Sequence, residues 1–154
     1  MFRSFLLGAI AGSRSMTPLA AVSEAAHEQS LPANNGAPAF LGSSIVAAAT
    51  KALAVGELSG DKMASAPDRI VAPGMAARIL SGAIAGASVA PRNQRMLAGL
   101  LGVAGAIGAA YVTYDMRRRA IKRYGQKRTG LVEDALALSA TGLAMKTATL
   151  PPRQ

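Results

Sequence analysis

Gly8-Ala9-Ile10-Ala11-Gly12-Ser13-Arg14-Ser15-Met16-Thr17-Pro18 is an apolar, small-residue run interrupted by an arginine and then by a proline. A helix that crosses a bilayer needs about 20 mostly apolar residues, and positions 5–22 approach that length with Arg14 near the middle. An arginine at that depth costs roughly 2.5–3.5 kcal/mol on insertion scales, so it must face protein or water and hold a partner. Pro18 lacks a backbone donor and biases Thr17 away from helical geometry. Together these residues predict a discontinuous membrane helix, which is tolerated only where the freed backbone is buried in protein or lines a cavity. Transporters build binding sites from helices of this kind.

The composition agrees with that reading. The chain has 154 residues, enough for a single domain spanning 1–154, and is 51% hydrophobic but only 4% aromatic, with no tryptophan. Its mean hydropathy is +0.27. An apolar mass made of Ala, Gly, Leu, Val and Ile suits helices that approach closely in lipid, where small residues at the contact supply the association energy. The rival composition-level reading is a soluble alanine-rich helical domain. Cysteine is absent, which excludes disulfides and thiolate metal sites. Met1-Phe2-Arg3-Ser4-Phe5 carries the charge of a signal-peptide start, but the apolar stretch resumes at Met16, so the segment is expected to stay uncleaved.

Five apolar segments follow one another at 5–22, 40–57, 73–90, 96–114 and 131–147, predicting an all-α polytopic bundle of about five spans, with four as the alternative count. The intervening 23–39 stretch, with Pro32, Asn34, Asn35, Gly36 and Pro38, reads as an acidic loop in which the single histidine, His27, is a solvated side chain. Gly8-Ala9-Ile10-Ala11-Gly12 returns as Gly82-Ala83-Ile84-Ala85-Gly86, each followed by a proline, which suggests an internal repeat. Glycines four apart, and Gly99, Gly102, Gly105 and Gly108 in the fourth segment, expose bare helix faces for packing within the chain or, on the fourth segment, for a homo-oligomer seam.

The net charge of +9 is concentrated: seven of the 17 basic residues lie between Arg117 and Arg128. As a loop beside an apolar span, this run satisfies the positive-inside rule, and alternation then puts the N-terminus inside and the C-terminus outside. Arg117, Arg118, Arg119, Lys122 and Arg123 read as a cytoplasmic anchor for anionic lipid headgroups, with Tyr111 and Tyr114 at the interface.

The remaining ionisable residues sit at or near segment ends. Glu57 and Asp61 are four apart and followed by Lys62, so on a continuing helix the two carboxylates share a face and can bind a cation, share a proton or pair with Arg14 or Arg78. Lys51 calls for an internal carboxylate. Pro73 predicts a helix start, with Arg78 just over a turn inside. Glu133 and Asp134 either complement the dipole of the fifth segment's first turn, with Thr129 as cap, or pair with a buried arginine. Nucleophile elbows, phosphate loops and metal-ligand spacings are absent, so neither an enzyme nor a resident cofactor or metal is expected.

Gly12-Ser13-Arg14-Ser15-Met16-Thr17-Pro18, Glu57-x-x-x-Asp61-Lys62, Arg78-x-x-x-Gly82-Ala83 and Glu133-Asp134, in that order from about Leu6 to Met145, resemble the bacterial membrane-protein family known as domain of unknown function 4126. The resemblance implies a small multi-helix protein of the bacterial inner membrane and brings no catalytic residues or substrate with it. The heavy basic run departs from the family pattern. The expectation is a transporter or channel-like protein that moves an ion or small solute past a buried cluster of Arg14, Thr17, Glu57, Asp61, Lys62, Arg78, Glu133 and Asp134. Two alternatives are a structural or partner-binding membrane subunit whose charges only pair internally, and a soluble basic helical protein binding nucleic acid. The last lacks a recognition motif or aromatic stacking groups, so no nucleic-acid partner is expected.

Overall fold

The computed structural model describes residues 1–60, 71–146 and 148. Among these the secondary structure is helical, with no strand: α1 (Phe2–Ser13), α2 (Met16–His27), α3 (Ser44–Gly60), α4 (Ala72–Ser88), α5 (Arg95–Tyr124) and α6 (Gln126–Lys146), plus short 3-10 turns at Ala39–Gly42 and Arg92–Gln94. Asp61, Lys62 and the Pro67-Asp68-Arg69 stretch lie outside the described residues.

The centre of the fold is a contact among α1, α4 and α5 in which glycine replaces side chains. A Cβ on Gly8 would stand 2.1 Å from the carbonyl oxygen of Gly102, and one on Gly102 would stand 2.1 Å from that of Gly82. Gly12 meets Ala106 and Ala110 on α5, Gly86 meets Ala98 and Gly102, and Gly105 meets Phe5 and Ala9. Both Gly-Ala-Ile-Ala-Gly copies therefore seat on the glycine face of α5, one from α1 and one from α4. Their prolines differ, since Pro18 enters α2 and Pro91 lies in the connection after α4. Gly108, in contrast, has open space where a Cβ would go, as have Gly56 and Gly60.

The same contacts fix direction. On α5, Gly8 and Gly12 face progressively later residues, so α1 and α5 run parallel; Gly82 and Gly86 face progressively earlier ones, so α4 runs antiparallel to both. The N-terminal part of α1 thus lies at the end of the bundle that holds the α4–α5 connection, with Gly86 beside the Ser4 carbonyl. The segment that follows α2 returns to this same end: the Gly36 amide donates to Ala90 O at 2.8 Å and the Arg92 amide to Asn34 O at 2.9 Å. The α1–α2 unit is consequently a hairpin that enters the bundle, turns at Arg14 and comes back, where the sequence led us to expect a single broken traverse. Arg14 alone leaves helical geometry (φ −138°, ψ 99°), and one extended residue is enough to redirect the chain. From there α3 leads away from the shared end, α4 returns, α5 leaves and α6 returns, its Ala144 and Met145 joining a core with Val22, Leu31 and Leu41.

Two further boundaries differ from expectation. The residues between Tyr114 and Arg128 are not a loop: α5 runs on to Tyr124 and α6 begins at Gln126, with Gly125 alone between them at φ +80°. Arginine and lysine are strong helix formers, and Arg119 pairs with Asp115 one turn earlier at 2.6 Å. Likewise α2 extends through Glu24 to His27, whose ring meets Gly42 O at 3.1 Å.

Because the α5 glycine face tolerates no Cβ, Gly102→Ala is expected to push helices apart and cost about 1–3 kcal/mol, the usual range for overpacking. Gly108→Ala should instead stabilise by up to about 1 kcal/mol. Thermal melts of the two purified variants beside the parent check the opposite signs.

Candidate functional site

The site is built around the turn of the α1–α2 hairpin. A helix end leaves carbonyls without partners and a helix start leaves amides without partners, and here the two lie within a few residues in the interior. At the end of α1, Arg14 N reaches Ile10 O at 2.8 Å, and Ser13 Oγ donates to the same oxygen at 2.9 Å. Arg78 of α4 donates from Nε to Gly12 O at 3.0 Å and from Nη1 to Gly74 O at 2.8 Å. One turn further along α4, the Ser81 hydroxyl donates to Ser15 O. The amides that open α2 go to α3: Glu57 accepts from Ser15 N at 2.8 Å and from Ser15 Oγ at 2.9 Å on one oxygen, and from Met16 N at 2.8 Å on the other. The charges match the dipoles, with a guanidinium at the negative end of α1 and a carboxylate at the positive end of α2.

Arg14 points the other way, toward α6. It is 1% exposed. Its Nε donates to Asp134 Oδ1 at 2.8 Å, Nη2 approaches the same oxygen at 2.5 Å, and Glu133 Oε2 is 3.9 Å away. Glu133 also accepts from Arg117 Nη1 at 2.8 Å, which links the buried pair to the basic half of α5. Because α6 starts at Gln126, Glu133 and Asp134 lie about two turns inside it and not in its first turn, and Thr129 Oγ1 donates back to Gly125 O at 2.9 Å instead of capping. The dipole-and-cap reading of these acids is therefore replaced by ion pairing.

The sequence-selected residues are thus partly brought together. Arg14, Glu57, Arg78, Glu133 and Asp134 converge on one turn, while Asp61 and Lys62 lie outside the described residues. Glu57 serves backbone amides and the Ser15 hydroxyl, not the Arg14 guanidinium, so the expected Arg14–Glu57 pair is corrected to Arg14–Asp134. Thr17 is 5% exposed, and its Oγ1 has no hydrogen-bond partner among the described residues. Lys51 pairs with Glu24 at 2.6 Å away from this cluster, with its side chain half exposed. Sequence reasoning missed Ser15 and Ser81 and gave Arg117 to lipid headgroups where it pairs with Glu133; the signal for Ser81 was its position one turn after Arg78 on the same face. Among the described residues no group of three His, Cys, Asp or Glu side chains could hold a metal. Chemically, the turn presents a guanidinium–carboxylate pair and oriented backbone dipoles, the equipment for binding or gating charge.

These residues carry the motifs on which the resemblance was drawn, and the match extends over nearly the whole chain. The chain belongs to the DUF4126 family. The family model, described as a domain of unknown function, matches residues 1–151. No curated protein and no solved structure matches the chain.

Truncating one member of a buried pair strands the other, at about 3–5 kcal/mol. In this DUF4126 protein, Asp134→Ala is expected to lower the melting temperature steeply, and Arg14→Met combined with Asp134→Leu to recover most of the loss. A double variant no more stable than Asp134→Ala would contradict the pairing.

Proposed function

We propose that the protein is a polytopic helical protein of the bacterial inner membrane that passes an ion or small solute at the turn of the α1–α2 hairpin. The observation that carries this reading is the inversion of the packing. The largest fully buried side chain is Arg14, while Ile45, Leu53, Leu80, Met96, Leu100, Leu136 and Leu143 each lie more than half exposed. Water disfavours apolar surface that extensive on a monomer, whereas lipid accommodates it. The stretch Arg92–Tyr124 is long and apolar enough to cross a bilayer by length and composition, and 28% of its most apolar window is buried. At 17 residues each, α3 and α4 reach about 25 Å, the lower limit for a span. In this reading α3 to α6 cross, and α1–α2 is re-entrant, with Arg14 near mid-depth.

The positive-inside rule then puts the Arg117–Arg128 end of the bundle in the cytoplasm. The start of α1 and the end of α6 face the other side, in place of the opposed ends that five spans would give. Reporters fused before Met1 and after Gln154 should both behave as non-cytoplasmic; a cytoplasmic signal from either one refutes the four-span arrangement.

Transport is tested in proteoliposomes with dyes for protons, potassium and chloride. Wild type should carry at least one of these, and Asp134→Asn and Arg14→Met should each abolish the flux while the variant stays in the membrane pellet after carbonate washing. Full flux in both variants removes the site, and wild-type protein released by carbonate removes the membrane reading. A second reading, a structural or partner-binding subunit, draws on the saturation of Glu57 and Arg78 by backbone groups. It predicts no flux with any ion, and recovery of folding when Arg14→Asp is combined with Asp134→Arg.

A further inference from the structure

Beyond Ala110, α5 contributes no buried residue. An apolar groove of about 540 Å³ lies there between α5 and α6. Met116 and Ala120 on α5 and Val132 and Leu136 on α6 line its apolar part, and Tyr124 and Arg128 lie at the end nearest Gly125. The surface inside the groove is thus apolar, and Arg128 marks one end of it. Arg117, also in the wall, is engaged by Glu133, while Arg128 makes no ion pair among the described residues. Arg118, Arg119, Lys122, Arg123 and Lys127 lie on the same stretch of α5 and α6 outside the groove lining, and Arg118 lies over the Tyr114 ring at 5.7 Å.

From this geometry we infer that the groove binds an anionic phospholipid. One acyl chain lies along Met116, Ala120, Val132 and Leu136, and the phosphate meets Arg128. The inference rests on the membrane reading above. Charge selects the occupant: a second copy would bring its own basic run against this one, whereas an anionic headgroup is attracted by each lysine or arginine near it. Shape selects it too, since a free anion leaves the aliphatic length of the groove uncovered.

Native mass spectrometry of detergent-purified protein, incubated with dioleoylphosphatidylglycerol or dioleoylphosphatidylcholine, reads both requirements at once. The anionic lipid should remain as an adduct and the zwitterionic one should be lost. Arg128→Gln, an exposed change that leaves the core alone, should weaken retention about five-fold, the worth of one basic residue at an anionic surface. Ala120→Trp, which fills the groove, should abolish retention without lowering the melting temperature. Inorganic phosphate should fail to compete. Equal retention of the two lipids, competition by phosphate alone, dimers without lipid adducts, or unchanged retention in both variants would each overturn the site. Carbonate washing of the source membranes separates the two failures: protein that stays in the pellet but shows no selectivity loses the lipid site only, and protein that washes out loses both.

Discussion

The backbone groups freed where α1 stops and α2 starts must find partners away from water, and the rest of the architecture is arranged to supply them. An unsatisfied buried amide or carbonyl costs free energy comparable to a lost hydrogen bond. Here each neighbouring helix brings one answer to the same point: α3 brings Glu57, α4 brings Arg78 and Ser81, and α6 brings Asp134 to the redirecting residue, Arg14. The axial heights of those helices are set by this requirement. A slide of one turn along α4 would separate Arg78 from Gly12 O and, in the same movement, bring Arg78 or Ala90 in place of a glycine against the α5 face.

The glycine contact and the charged turn are complementary constraints. Close approach of α1, α4 and α5 puts backbone against backbone and leaves little volume between them for large side chains, and the leucines and isoleucines of α3 to α6 are turned outward while Leu7 and Ile10 of α1 stay buried. An interior of alanine, glycine and serine offers few apolar contacts per residue, so specificity of register has to come from steric fit and from directed polar bonds. In lipid, where apolar burial does not drive helices together, this is a workable basis for association.

Much of this was legible in the sequence, for reasons that are local. Arg14 and Pro18 announced a break, the repeated Gly-x-x-x-Gly announced close contacts, and Pro73 announced the start of α4. What was not legible depended on relations across the chain. A break does not state its angle, so a chain that reverses at Arg14 looks the same as one that continues. Glu57 lies 42 positions from Ser15, and nothing near it says that its partners are amides and not a guanidinium. The basic run was misread as a loop because the positive-inside rule was applied to it as a connection between spans, although arginine and lysine favour helix; the glycine that ends α5, Gly125, was present all along as the one residue suited to φ +80°. That error shifted the start of α6, and with it the reading of Glu133 and Asp134.

The ionic groups at the turn are not equivalent in what they contribute. Glu57 and Arg78 satisfy backbone groups that would otherwise be stranded, so their presence follows from the fold. The Arg14–Asp134 pair instead sets one side chain against another. Burying two charges costs several kcal/mol per ion before their attraction is counted, and replacing such a pair with well-packed apolar residues is often neutral or stabilising. Stability therefore does not account for it. A redirecting residue could be made from glycine or asparagine, which adopt irregular backbone readily, yet the position holds the largest fully buried side chain among the described residues. On the transport proposal, a guanidinium retained there at a cost, and tied through Glu133 to Arg117 and the basic end of the bundle, is there to meet a passing charge. The same proposal gives the functional part to Arg14 and Asp134 and leaves Glu57 and Arg78 to the fold.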